Sequence, residues 1–239
     1  MPGHRAEADR LLPFPANQSC HSFVAAVKSF VADADEIGLR RYLQLNWNLS
    51  SLTRLIHGDE VESARTAAYC LGVVGGEAGV LTLTGALSHD DPGVAAAAED
   101  ALWRSWFNAA GAGARRHVTD AVELMAEERY DAAVATLDGV IEQHPRFPEA
   151  YHQRGLARHL MGDGRGAIDD FQKASELNPC HFAAHAGMGR SYADSGRYGE
   201  ALASLRRALR IHPRFDGVRQ SIRLIHEARG FAAPVHSDD

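Results

Sequence analysis

Residues 144–215 read HPRFPEAYHQRGLARHLMGDGRGAIDDFQKASELNPCHFAAHAGMGRSYADSGRYGEALASLRRALRIHPRF, opening and closing on the same four letters. The two copies start at His144 and His212, 68 residues apart, and halving that interval lands on NPCHF. Pro145, Pro179 and Pro213 are therefore spaced by 34 residues. The same step aligns Ala133, Ala167 and Ala201, then Leu137, Phe171 and Leu205, then Ala121, Gly155 and Gly189. Several columns with one period predict stacked copies of a single supersecondary unit. A proline ends each helix because it has no amide donor, and the Gly and Ala columns let two helix backbones approach, so each unit reads as a helix pair.

In the third unit His185, Met188, Gly189 and Tyr192 precede Ala201, Leu205 and Pro213. The second has Tyr151, Arg154, Gly155 and Arg158 before Ala167, Phe171 and Pro179, and the first has His117, Asp120, Ala121 and Leu124 before Ala133, Leu137 and Pro145. This register resembles the tetratricopeptide repeat, W-x2-L-G-x2-Y then A-x3-F then P. No unit has the tryptophan, and Asp120 and Arg154 stand where an apolar residue is expected. The resemblance implies three repeats, 114–147, 148–181 and 182–215, within a region 110–215. A capping helix at 216–230 is expected to follow, with Val218, Ile222 and Ile225 on one face and Arg219, Arg223 and Glu227 elsewhere. The polar tail 231–239 is expected to be disordered.

Upstream the period changes to 31. LTRLIHGDE from Leu52 aligns with LTGALSHDD from Leu83, and Ala67 and Leu71 align with Ala98 and Leu102. These copies are similar to the short HEAT-like repeats related to those of bilin lyases. They imply a HEAT-like region over 20–109, with helices near 61–73, 77–88 and 92–109, preceded by a disordered arm at 1–19. Residues 21–57 have helical periodicity but fit the 31-residue step poorly. AGAGARR then reads as a junction, and Trp103, Trp106 and Phe107 are expected to cover the first tetratricopeptide-like helix pair in one continuous array. The predicted fold is all-α, a right-handed α-solenoid.

Composition agrees with that fold. The 239 residues include 40 alanines against 9 prolines, and alanine favours helix because it loses no side-chain entropy. Lys28 and Lys173 are the only lysines among 25 basic residues, a bias expected from genomic composition more than from chemistry. Residues 1–113 hold 13 of the 31 acids and 8 of the bases, so most of the net charge of −6 lies in the first half. Binding to nucleic acid by charge is therefore not expected. Cys20, Cys70 and Cys180 have neither disulfide-framework nor zinc spacing. With no signal-peptide pattern at the start and no apolar stretch of spanning length, cytoplasmic residence without membrane contact is expected.

No catalytic constellation appears. GVVGGEAG at 72–79 lacks the GK[ST] ending of a phosphate loop and reads as a turn between helices. Cys180, His181 and His185 have ligand-like spacing, but without a further partner they do not complete a metal site. Asp90, Asp91, Asp169 and Asp170 read as solvated carboxylates, so no metal, cofactor or enzyme activity is expected. The expected function is a protein-interaction scaffold that takes a peptide or protein segment in the concave groove of the repeats. That groove is predicted to display Arg115, Val118, Val122 and Met125, then His152, Leu156 and His159, then Arg190 and Asp194. Val118, Val122, Gln153 and Gly187 replace the residues that clamp a terminal carboxylate in chaperone-binding relatives, which argues against a chaperone C-terminus as ligand. A strip of Arg206, Arg207, Arg210, Arg219 and Arg223, extended by Arg214 and Arg229, offers a second surface, for an acidic partner or the acidic half of another copy. The alternative is an accessory factor or enzyme handling a small ligand or chromophore through the HEAT-like half.

Overall fold

The computed structural model describes residues 20–228, which form thirteen α-helices and no strand. The expected arm at 1–19, the tail at 231–239 and Arg229 lie outside the described residues. The chain divides into two compact units at Ala101 and Leu102.

The first unit contains α1 (Cys20–Ala32), α2 (Glu36–Asn46), α3 (Leu49–Ile56), α4 (Val61–Val74), α5 (Gly76–Ala86) and the start of α6 (Pro92–Asn108). Short polar side chains start several of them: Asp35 accepts from the Gly38 amide at 2.8 Å, Asn48 from Ser51 at 2.8 Å, and Asp91 from Gly93 and Val94 at 2.9 and 3.0 Å. Helix α4 packs against α1, α2, α3 and α5, and its Ala64, Ala67, Ala68 and Leu71 are buried. At Gly72 a Cβ would lie 2.9 Å from the Cβ of Ala101, so α4 and α6 meet at a distance that only a glycine permits. Residues 72–79 make the turn between α4 and α5, where Gly76 has φ +53°. A HEAT-like character for this unit rests on the sequence repeat alone.

The second unit holds the end of α6, then α7 (Gly111–Ala126), α8 (Tyr130–Gln143), α9 (Pro148–Leu160), α10 (Gly164–Leu177), α11 (Phe182–Asp194), α12 (Tyr198–Ile211) and α13 (Asp216–Ala228). Each helix from α7 onward packs on the next, and the alternate helices α7, α9, α11 and α13 also touch in sequence. The first helices of the pairs therefore line one face, as stacked helix pairs require. The expected junction is shorter than AGAGARR: α7 begins at Gly111, whose φ of +87° admits the turn, so only Ala109 and Ala110 are left between helices.

The aligned columns meet one another across each pair. A Cβ on Gly155 would lie 3.0 Å from the Phe171 ring and 3.2 Å from the Ala167 carbonyl, and one on Gly189 would lie 2.6 Å from Leu205 and 3.2 Å from the Ala201 carbonyl. Gly187 is a further close approach, 2.6 Å from the Phe171 ring. Arg154, a departure from the repeat pattern, has its own explanation. Its guanidinium donates to both carboxylate oxygens of Asp170 at 2.9 and 2.6 Å and to Asp138 at 2.5 Å, while Arg158 donates to Asp170 at 2.8 Å. Asp170 is thus buried and doubly paired, not the solvated carboxylate expected from the sequence. The network ties α8, α9 and α10 together with charge-assisted bonds.

Two substitutions test this packing. Gly189→Ala forces a methyl into Leu205 and should cost about 1–3 kcal/mol in a urea melt. Asp170→Asn leaves two partly buried guanidinium groups short of charge and should cost about 2 kcal/mol after allowance for their residual solvation. A loss below a few tenths of a kcal/mol in either would refute the corresponding contact.

Candidate functional site

The predicted groove residues separate into two groups. Val118, Met125 and His152 are buried, so these three are removed from any displayed surface: Val118 and Met125 join the core of the first pair with Ala121 and Leu137. Arg115, Val122, Arg190 and Asp194 are exposed, with Val122 at 38%, and Leu156 and His159 are half-buried. His159 Nδ1 lies 3.1 Å from the Ser191 hydroxyl and its Nε2 3.7 Å from Asp194, which links α9 to α11 along their shared face. Arg115 is drawn to the end of α6, donating to Asn108 at 2.8 Å.

Beneath this face lies a polar cluster that the sequence reading missed. Glu149 has no exposed surface. Its Oε1 accepts from Gln153 Nε2 at 2.6 Å and from His152 Nδ1 at 3.1 Å, and its Oε2 accepts from His181 Nε2 at 3.0 Å. The Ala184 amide donates to His181 Nδ1 at 3.3 Å, so the ring proton of His181 belongs on Nε2, facing the carboxylate. Burial would raise the Glu149 carboxyl, but the two imidazoles outweigh it and hold the group at about 2. Burial lowers His181 below its usual range. The donor atoms of Glu149, His152 and His181 lie within 4.8 Å of one another, a spacing that a metal could bridge. The proton assignment opposes that use: coordination through His181 Nε2 would move its proton to Nδ1, against the Ala184 amide. The donor set fits a closed hydrogen-bond network better than a metal centre.

Register explains why the cluster escaped notice and how it was legible. Glu149 shares its column with Arg115 and Ala183, His152 with Val118 and Ala186, and His181 with Phe147 and Phe215. Two histidines thus replace apolar residues in a single repeat, at positions that the fold brings together around Glu149. His181 and His185, paired in the sequence by their spacing, part company: His181 caps α11, while His185 is half-buried and lowered to about 4 by burial and by Arg207.

The two tryptophans of the last turns of α6 cover this cluster. Trp106 stacks on His181 with ring centroids 4.4 Å apart and 19° between planes, and Trp103 meets His181 and Phe182 edge-on at 6.1 and 5.7 Å. Trp103 also lies 6.0 Å from the His152 ring. These contacts reach the second and third pairs, beyond the first pair that all three aromatics were expected to cover, while Phe107 packs with the core of the first. The Trp106 Nε1–H is buried and has no acceptor among the described residues.

All five arginines of the predicted basic surface are exposed: Arg206, Arg207 and Arg210 on α12, Arg219 and Arg223 on α13. Arg219 donates to the Pro213 carbonyl at 2.7 Å. In the first unit an open cleft of about 350 Å³ runs between α1 and α4, lined by Val27, Lys28, Val31, Arg65, Thr66 and Tyr69. Cys70 is buried in the same unit and its thiol is pushed up to about 12, which makes it unreactive at neutral pH. No helix among the described residues is long and apolar enough to cross a membrane.

Comparison with known proteins agrees with the geometry of the second unit. Residues 148–180 and 182–215 each match the tetratricopeptide repeat family, so the chain carries such repeats there. The chain is similar to small glutamine-rich tetratricopeptide repeat-containing protein 2 of Mycosarcoma maydis, at 25% identity over 117 residues, 49% of this chain and 33% of that protein. It therefore spans only about a third of that relative's length. A TPR repeat-containing protein of Rhizobium etli is 25% identical over 137 residues, 57% of this chain and 67% of its own. Among solved structures, the crystal structure of MamA matches 55% of this chain and 78% of its own, at 24% identity and a TM-score of 0.47. Tetratricopeptide repeats generally mediate protein–protein interaction, on the extended faces that stacked helix pairs create.

The histidines and Glu149 fix the pH response of the second unit. Folded His181 and His185 resist protonation, so as pH falls below 6.5 the unfolded chain takes up protons that the folded chain refuses, and stability declines, for His185 down to about 4. Glu149 adds a second loss of the same sign between 4.5 and about 2. Thermal melts followed by circular dichroism should show a plateau above 6.5 and a falling midpoint below it, with a weaker upper phase in His185→Gln. An unchanged midpoint down to pH 4 would contradict these assignments.

Proposed function

We propose that this protein is a non-enzymatic interaction adaptor that binds a peptide or protein segment on the face formed by α7, α9 and α11. The observation that carries this reading is the sequential contact of those first helices, which makes one strip from Arg115 and Val122 through Leu156 and His159 to Arg190 and Asp194. The strip mixes apolar and charged groups, as peptide-binding grooves do. Ser191, His159 and Asp194 do fall in line along it, but the Ser191 hydroxyl is fully buried and donates to the Gly187 carbonyl, so it is not presented to a substrate. The repeat boundaries 114–147, 148–181 and 182–215, the capping role of 216–230 and cytoplasmic residence belong to the same proposal.

The arginine strip supports a second reading, an electrostatic docking surface for an acidic partner, including another copy of this chain. Its support is the exposure of Arg206, Arg207, Arg210, Arg219 and Arg223 on two successive helices. Exposed charge of one sign steers association and falls in influence with salt.

Affinity purification with three forms of the chain separates the two. Partners bound through the first-helix face should be retained by the unmodified chain and by Arg219→Glu with Arg223→Glu, but lost with Val122→Glu and Asp194→Arg. The reverse pattern, together with an earlier elution volume of the unmodified chain at low salt, would transfer the function to the arginine strip.

A further inference from the structure

Trp103 and Trp106 are three residues apart on α6 and so project from one side of that helix. Their seat is built by two successive first helices: His152 from α9, Phe182 from α11, and His181 at the cap of α11. This is the same family of helices whose face a repeat array presents to its ligands. The second and third pairs therefore already hold a guest, a short helical segment with two aromatic rings.

Two observations distinguish this seat from ordinary core. The His152 and His181 rings are held in fixed orientation by a fully buried carboxylate, an investment of polar groups that apolar packing alone does not need. The guest also fits imperfectly, because Trp106 is 95% buried and its Nε1–H has no acceptor among the described residues. A phenyl ring in that place keeps the stacking on His181 and leaves no donor unpaired.

We propose that the floor formed by His152, His181 and Phe182 is a receptor for a helical segment of a partner carrying aromatic residues at positions i and i+3, and that Trp103 and Trp106 are its built-in competitor. This rests on the reading of the first-helix face as the binding face. A tethered competitor acts at an effective concentration in the millimolar range, so it lowers the apparent affinity for any segment that must displace it.

The probe is a fluorescein-labelled peptide of residues 98–110, AEDALWRSWFNAA, titrated by anisotropy against the full chain. Trp103→Leu with Trp106→Leu, and separately Trp103→Ala with Trp106→Ala, should bind it at least about tenfold more tightly than the unmodified chain. A peptide carrying Trp106→Phe should bind more tightly still, and one with both tryptophans changed to Ala should not bind. Equal binding by the unmodified chain and a folded variant, or binding of the double-Ala peptide, overturns the proposal. Should both variants fail to fold, the unmodified chain decides. An excess of unlabelled peptide with Trp103→Phe and Trp106→Phe should increase acrylamide quenching of the protein's own tryptophans, and unchanged quenching up to millimolar peptide overturns it. Capture that depends on Val122 and Asp194, beside tryptophans that no peptide exposes, would keep the adaptor reading and reject this one.

Discussion

A carboxylate without exposed surface has to be paid for by its neighbours, and the arrangement around Glu149 shows how widely that requirement spreads. Three donors satisfy its two oxygens: Gln153 and His152 from one and nearly one turn along the same helix, and His181 from the start of α11. The last bond joins the second pair to the third. It also sets the plane of the His181 ring, on which Trp106 stacks. The Ala184 amide completes the chain by fixing the tautomer. Removal of any one partner leaves a buried charge or a buried donor unmatched, which costs more than the bond itself contributes.

The frame around that carboxylate was legible because it repeats. Gly155 and Gly189 meet Phe171 and Leu205, the residues their 34-residue columns assign to them, and the prolines fall between helices. Steric requirements at a helix crossing recur in every pair, so they mark the sequence periodically. The chemistry of the second pair was illegible for the opposite reason. Glu149, His152, Arg154, Arg158 and Asp170 occur once, and a search for agreement between copies discards them as noise. Asp170 in particular resembles any helix-face carboxylate until Arg154 and Arg158 are seen to converge on it. Departures from a repeat are informative when several of them fall in the same copy.

The groove shows a different limit. Register correctly assigns residues to the first helices, but exposure depends on how each side chain leans and on what lies above it. Val118 and Met125 turn into the core of the first pair, and His152 is drawn beneath Trp103 by its bond to Glu149. No column contains the tryptophans of α6, because they belong to a segment with another period. The 31-residue step of the first half likewise locates α4, α5 and α6 closely, while the ancestry of those helices has no such geometric signature.

The ion network of Arg154 and Arg158 with Asp138 and Asp170 also bears on how this array can change over time. Arrays of like units ordinarily grow and shrink by copying or dropping one unit, since each joint matches the next. Here the joint between the first and second pairs is keyed by Asp138 on one side and Arg154 on the other. A third pair placed directly after the first would present Met188 where the guanidinium belongs, and a duplicated second pair would set its Arg154 against Gln172 in place of Asp138. Either rearrangement would therefore break the Asp138–Arg154 pair and leave the guanidinium or the carboxylate without its partner.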